Sequence, residues 1–155
     1  MERPVLGVIG GSGLLKSGEN VFTALPFTEI DTRAGRVLLR AGKMAGGGTL
    51  VFVQRHEATP DRTYTQPADI NYASIALALK KVGCEAVIAL CSVGSLRESL
   101  EVGTLVVPDD YFSPMDVRRV HSDYKGHYLP TLSDSLRENV LNALHEIHAR
   151  PHAGG

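Results

Sequence analysis

Three things are scarce in this sequence. Its two cysteines, Cys84 and Cys91, stand apart, with no C-x-x-C pattern and no matching histidine pair. That argues against a disulfide framework and a structural zinc site, and the thiols read as reduced, as expected of a cytoplasmic protein, with the nucleus as the secondary expectation. Long apolar runs are missing as well. Val5–Ile9 follows Glu2 and Pro4, too short for the apolar region of a signal peptide and far short of a membrane span. The third absence is charge of one sign. The chain holds 16 basic and 17 acidic residues, a formal net charge of −1, and carries no basic run or basic-aromatic stripe among its 6% aromatics. Neither nucleic acid nor an anionic membrane is an expected partner.

What is present suits one globular domain over 1–155, since 43% of the residues are hydrophobic and can build a core. Val5–Ile9 reads as a buried first strand running into glycines. Arg36–Gly42 and Thr49–Gln54 read as two further strands joined by the glycine-rich tip Lys43–Gly48. Residues 57–68 are polar and proline-bearing, hence a loop. A helix is predicted from Asp69 to Lys81, with Ile70, Ala73 and Leu77 on its apolar face and Gly83 as its stop. Ala86–Leu90 and Thr104–Pro108 are apolar strand candidates, so strand, helix and strand make a parallel crossover. Asp109–Pro130 is irregular and too long for a plain connection, which marks it as functional. A last helix starts near Ser133, with Leu136, Val140, Leu144 and Ile147 at the helical period and Ser135 with Glu138 as a capping box. The tail from Arg150 is rich in breakers, and the histidines His145, His148 and His152 fall short of a metal motif, so they read as surface groups. The class is α/β, three-layered, with a mixed, mainly parallel sheet.

The stretch Val8–Ser17, "VIGGSGLLKS", reads as a loop for an anion. As a P-loop it has Leu15 where the second glycine belongs, and a side chain there obstructs the curl of the backbone round phosphates. As a dinucleotide loop it has Lys16 in place of the last glycine, and no acidic residue follows on a second parallel strand. A cup for inorganic phosphate needs donors from elsewhere, and the chain supplies them. Arg55 and His56 stand at the end of the strand Thr49–Gln54, and Ser92 stands just after "AVIALC". Three strand ends thus each deliver an anion-compatible group, where ligands collect in open α/β sheets.

"LGVIGGSGL", "VQRH", "QPADINYASIALALKKVGCEAVIALCSVGSLRESLEVGTLVVPDDY" and "GHYLP", in that order, resemble the trimeric branch of the purine nucleoside phosphorylase family. The nearest likeness is to its S-methyl-5′-thioadenosine phosphorylases, over about residues 5–145. The resemblance implies a nucleoside-phosphorylase-like sheet sandwich that cleaves the N-glycosidic bond with phosphate, giving free purine and a (methylthio)ribose 1-phosphate in purine and methionine salvage. It implies Ser12, Arg55, His56, Cys91 and Ser92 as phosphate-binding residues and His127 beside the 5′-substituent of the nucleoside. It also implies a homotrimer, no metal and no cofactor, with inorganic phosphate as co-substrate.

Two departures stand against that pattern. After Arg55-His56 the family continues with glycine and a second histidine, whereas this chain has "EATPDRTYTQP". The chain also matches only the N-terminal portion of the family's domain. The residues that read the purine and the last strands lie beyond that portion, so a sheet edge is expected to stand open. The alternative to the enzyme is a truncated remnant that binds phosphate without catalysis or associates with a full-length homologue.

Overall fold

The computed structural model describes residues 4–16, 20–112 and 131–154, with the backbone alone at 15 and 16. The chain divides into two units, Met1–Ser92 and Val93–Gly155. The first is built on a five-stranded sheet of β1 (Val5–Gly10), β2 (Phe27–Thr32), β3 (Gly35–Lys43), β4 (Thr49–Gln54) and β5 (Ala86–Ala89). The order across the sheet is β2-β3-β4-β1-β5. β1 is parallel to β4 and to β5, and β3 is antiparallel to β2 and to β4. Four strands therefore point one way and β3 opposes them, which makes the sheet mixed and mainly parallel, as the sequence predicts.

β4 is the centre because it is apolar on both faces. Val51 and Val53 pack with Val37, Leu39, Ile75, Ala78 and Leu79. Leu50 and Phe52 face the other way, onto Val8 and Leu25, and the Phe52 ring stacks on Phe22 at 4.5 Å. Helix α2 (Tyr72–Lys81) thus covers one face of the sheet, and Leu14, at the short helix α1 (Gly13–Lys16), with Phe22 and Leu25 packs on the other.

β2 is not legible in the sequence. Thr28, Glu29, Asp31 and Thr32 give it no apolar run, and backbone pairing from Phe27↔Arg40 to Thr32↔Gly35 holds it to β3. The expected helix over 69–81 begins at Tyr72 instead, because Pro67–Asp69 form a separate 3₁₀ turn and Asn71 caps the helix, accepting from the Ser74 N–H at 3.0 Å. Its buried face is Ser74, Ile75, Ala78 and Leu79, with the expected Ala73 and Leu77 only half-buried, while Ile70 is buried just outside the helix. Gly83 stops α2 as predicted, with φ +80. The Gly83 N–H donates to Lys80 C=O and the Cys84 N–H to Leu79 C=O, the two bonds that close a helix on a left-handed residue. β5 is one edge strand of the sheet and β2 the other, and Val87 within β5 and Leu90 just after it are exposed.

In the second unit the expected strand Thr104–Pro108 contracts to β6 (Val106–Val107), which pairs in parallel with β7 (His152–Ala153) in the tail. Helix α3 (Asp134–Glu146) is capped by Ser133, not by Ser135 with Glu138. Ser133 has the extended backbone that a cap requires, and its hydroxyl accepts from the Leu136 N–H at 3.3 Å, whereas Ser135 lies inside the first turn. Leu136, Val140 and Leu144 form a half-buried row. His145 lies in the last turn of the helix, and His148 follows its C-cap Ile147 at φ +59.

Candidate phosphate site

The anion-compatible groups are carried by neighbouring strands. β4, β1 and β5 are adjacent and parallel, so Arg55 after β4, Gly11 and Ser12 after β1, and Cys91 and Ser92 after β5 emerge at one edge of the sheet. Arg55 ties them together. Its Nη1 donates to Leu90 C=O at 3.2 Å and to Cys91 Sγ at 3.2 Å. Its Nη2 passes over Gly11, so closely that a Cβ there would lie 3.3 Å away. The side chain thus starts beyond β4, crosses the end of β1 and anchors beyond β5. Its Nε and Nη2 donors have no partner among the described residues, nor do the hydroxyls of half-buried Ser12 and exposed Ser92. Uncommitted donors round one guanidinium suit a tetrahedral oxyanion.

His56 behaves differently. It is buried within the 3₁₀ turn Arg55–Glu57, and its backbone N–H donates to Gln54 Oε1 at 2.7 Å. The ring turns to the following loop, where Nδ1 lies 3.0 Å from Thr65 C=O and the imidazole stacks on Tyr64 at 5.0 Å and 8°. Thr65 closes the grip by donating its N–H to His56 C=O at 2.7 Å. Because a carbonyl only accepts, Nδ1 carries the proton and Nε2 of the neutral ring is left as an acceptor. No hydrogen bond ties His56 to Ser12, Cys91 or Ser92 among the described residues. His127 lies outside the described residues.

Sequence reasoning missed the supports. Gln54 is the single buried polar residue ending an otherwise apolar strand, and that contrast was its signal. Tyr64 and Thr65 gave none, since their partner is set by how the 57–66 loop folds back. Arg62 in that loop pairs with Glu57 at 3.4 Å and holds a left-handed backbone at φ +55. A cleft of about 410 Å³ lies elsewhere, lined by Asp31, Thr32, Arg33, Leu77, Lys80 and Lys81, none of which stands at the strand ends that carry Arg55, Ser12 and Ser92. Among the described residues no group of three or more histidine, cysteine, aspartate or glutamate side chains is placed to hold a metal ion.

Residues 5–155 match the phosphorylase superfamily. The chain is 30% identical over 147 residues to a probable 6-oxopurine nucleoside phosphorylase of Archaeoglobus fulgidus, covering 95% of this chain and 58% of that one. Over 163 residues it is 30% identical to the S-methyl-5′-thioadenosine phosphorylase of Saccharolobus solfataricus, covering 99% and 57%. A variant of the adenosine/methylthioadenosine phosphorylase of Schistosoma mansoni, crystallised with adenine, has the same fold at a TM-score of 0.76 and 24% identity, over 94% of this chain and 53% of that one. The chain therefore spans a little over half the length of the curated relatives it matches.

Proposed function

Since the chain belongs to the phosphorylase superfamily, we propose that the ends of β4, β1 and β5 hold inorganic phosphate as the nucleophile for cleavage of a purine nucleoside, S-methyl-5′-thioadenosine first. One observation carries this reading: the Arg55 guanidinium spans the three strand ends while keeping Nε and Nη2 uncommitted over Gly11. Arg55, Ser12, Ser92 and the backbone at Cys91 hold the phosphate. His56, with Nδ1–H given to Thr65, presents Nε2 as an acceptor for the P–OH of hydrogen phosphate. A phosphate oxygen attacks the anomeric carbon, the bond to the purine nitrogen breaks, and its electron pair leaves with the base, which takes up one proton as hydrogen phosphate gives up its own to His56 Nε2. The products are free purine and methylthioribose 1-phosphate. The transition state carries positive charge on the sugar, so a dianion fixed beneath it both attacks and stabilises. No cofactor enters this scheme, phosphate being the co-substrate, and His127 is assigned to the 5′-substituent of the nucleoside in a homotrimer.

The test is base release from methylthioadenosine, adenosine and inosine, with and without phosphate. Phosphate-dependent release from any of them supports the proposal, and the preferred one fixes the purine class. Absence of release, with phosphate still raising Tm, would leave a phosphate-binding chain without catalysis. Absence of both overturns the site.

A further inference from the structure

A second feature lies beside the cup, between β2, β3 and the turn after β4. It is a cavity of about 10 Å³ walled by Phe27, Arg40, Phe52, Gln54, Glu57 and Arg62. That is room for one sphere of about water size. We propose that it is a binding site for a single monoatomic anion of the halide class.

The polar inventory of the wall carries the assignment. Gln54 is 8% exposed, and its Oε1 is taken by the His56 N–H at 2.7 Å, which fixes which end of the amide is which. The other end, Nε2, is buried with no hydrogen-bond partner among the described residues. Buried donors in folded proteins are rarely left so, and an unmatched one points to a bound species. Arg40 is pinned by Nη1, which donates to Thr23 C=O at 3.0 Å and Leu25 C=O at 2.8 Å. Its guanidinium carbon sits 3.9 Å from the centroid of the Phe27 ring, and that of Arg62 sits 4.9 Å from the same centroid. Arg62 reaches this place from a left-handed backbone, a conformation that a residue bearing a Cβ adopts at a cost.

Charge does not balance here. Glu57 is answered by Arg62 at 3.4 Å, whereas Arg40 has no carboxylate partner among the described residues. Burial, and then the like charge of Arg62, hold the Arg40 guanidinium below its ordinary range, and an anion between them removes the second cause. A water molecule would satisfy Gln54 Nε2 and give its protons to Glu57, of which only Oε2 is engaged by Arg62, but it would leave the excess positive charge of Arg40 and Arg62 unanswered. A monoatomic anion accepts from every donor and needs no acceptor. The same Gln54 amide caps the turn that carries Arg55 and His56, so the ion fixes the rotamer that holds that turn.

Crystals soaked in sodium bromide and measured at the bromine edge are expected to show an anomalous peak between Gln54 Nε2 and Arg40. In solution, sodium bromide is expected to raise Tm saturably above sodium gluconate at equal ionic strength. Gln54→Leu should abolish that rise. Because this variant also removes the cap of the turn, Arg62→Asn is the second arm; asparagine tolerates the left-handed backbone, and the apparent bromide affinity should fall about tenfold with the fold intact. An ordered water without anomalous signal, equal Tm in the two salts, or a bromide response unchanged in both variants overturns the proposal. These readouts need neither phosphate nor nucleoside, so their failure and that of the phosphorylase reading are separable.

Discussion

Replacing Arg55 by alanine separates a binding role from a structural one, because the two predict losses in different quantities. Folded-state stability depends on the two Nη1 bonds, to Leu90 C=O and Cys91 Sγ, both at 3.2 Å. One is long and the other has a weak sulfur acceptor, so together they contribute about 1 kcal/mol or less. Phosphate, by contrast, would lose charge-assisted bonds from a guanidinium, about 1.5–3 kcal/mol. At about 1.4 kcal/mol per decade this raises Kd for phosphate roughly 10- to 150-fold. Calorimetric titration of phosphate into both proteins, beside urea denaturation, reads the two quantities separately. Arg55→Lys should fall between, since an ammonium keeps the charge and loses the planar fork. A folded Arg55→Ala protein that binds phosphate as tightly as its parent refutes the cup. So does a stability loss above about 3 kcal/mol, which would mark Arg55 as a structural strut far stronger than two such bonds explain.

Phe52 is 1% exposed and stacked on Phe22, so Phe52→Ala is expected to cost about 3–5 kcal/mol in chemical denaturation. A loss near 1 kcal/mol would mean that the face opposite α2 is not a packed layer. Burial raises the Cys84 thiol above its ordinary range. The unfolded chain then gives up this proton first, so stability is full below about pH 8.5 and declines as pH rises through the folded value. Cys84→Ala should remove that part of the decline in denaturation series on either side of pH 8.5, and an unchanged slope rejects the assignment. Cys91 is exposed while Cys84 is half-buried, so alkylation should label Cys91 first, and saturating phosphate should slow it. Equal labelling with and without phosphate would place the anion away from the β5 end.

The parts of the fold legible in the sequence are those whose residues are buried from both sides or punctuated by glycine. β4 has Val51, Phe52 and Val53 almost fully buried, and its limits match the expected Thr49–Gln54. β2 failed because it is an edge strand of polar residues held by backbone pairing to β3, which leaves no side-chain pattern to read. The start of α2 was misplaced because it depends on the Asn71 side chain and on the 3₁₀ turn at Pro67, neither of which the apolar period encodes. Arg55 was legible as a charged residue at a strand end, but its reach to β5 required the sheet order β4-β1-β5. His56 was legible as a candidate. Its commitment to Tyr64 and Thr65 is a property of a loop whose path no local pattern encodes.

The glycines after β1 were the first sign of an anion site, and the structure changes the reason for them. None of Gly10, Gly11 and Gly13 is among the glycines with positive φ, so a left-handed turn is not what they supply. A Cβ at Gly10 would meet Leu14 Cδ1 at 2.5 Å and the Phe52 ring at 2.9 Å, so that position is empty to let the core close. A Cβ at Gly11 would meet the Arg55 guanidinium at 3.3 Å. From β4 to β5 is two strand spacings, about 10 Å, and Arg55 crosses it over the end of β1. At Gly13 a Cβ would meet nothing within 4 Å. The helix that follows is four residues long and leads to an antiparallel hairpin, not to the crossover helix that a dinucleotide loop opens. The three alanine variants should therefore separate. Gly10→Ala should lose about 1–3 kcal/mol of stability through overpacking. Gly11→Ala should stay near parental stability, because a guanidinium can yield a few tenths of an ångström, but bind phosphate several-fold more weakly. Gly13→Ala should change neither by much. A loop that bound phosphate through the backbone freedom of its glycines would lose affinity at all three positions, and that pattern would refute clearance for Arg55 as the reason for Gly11.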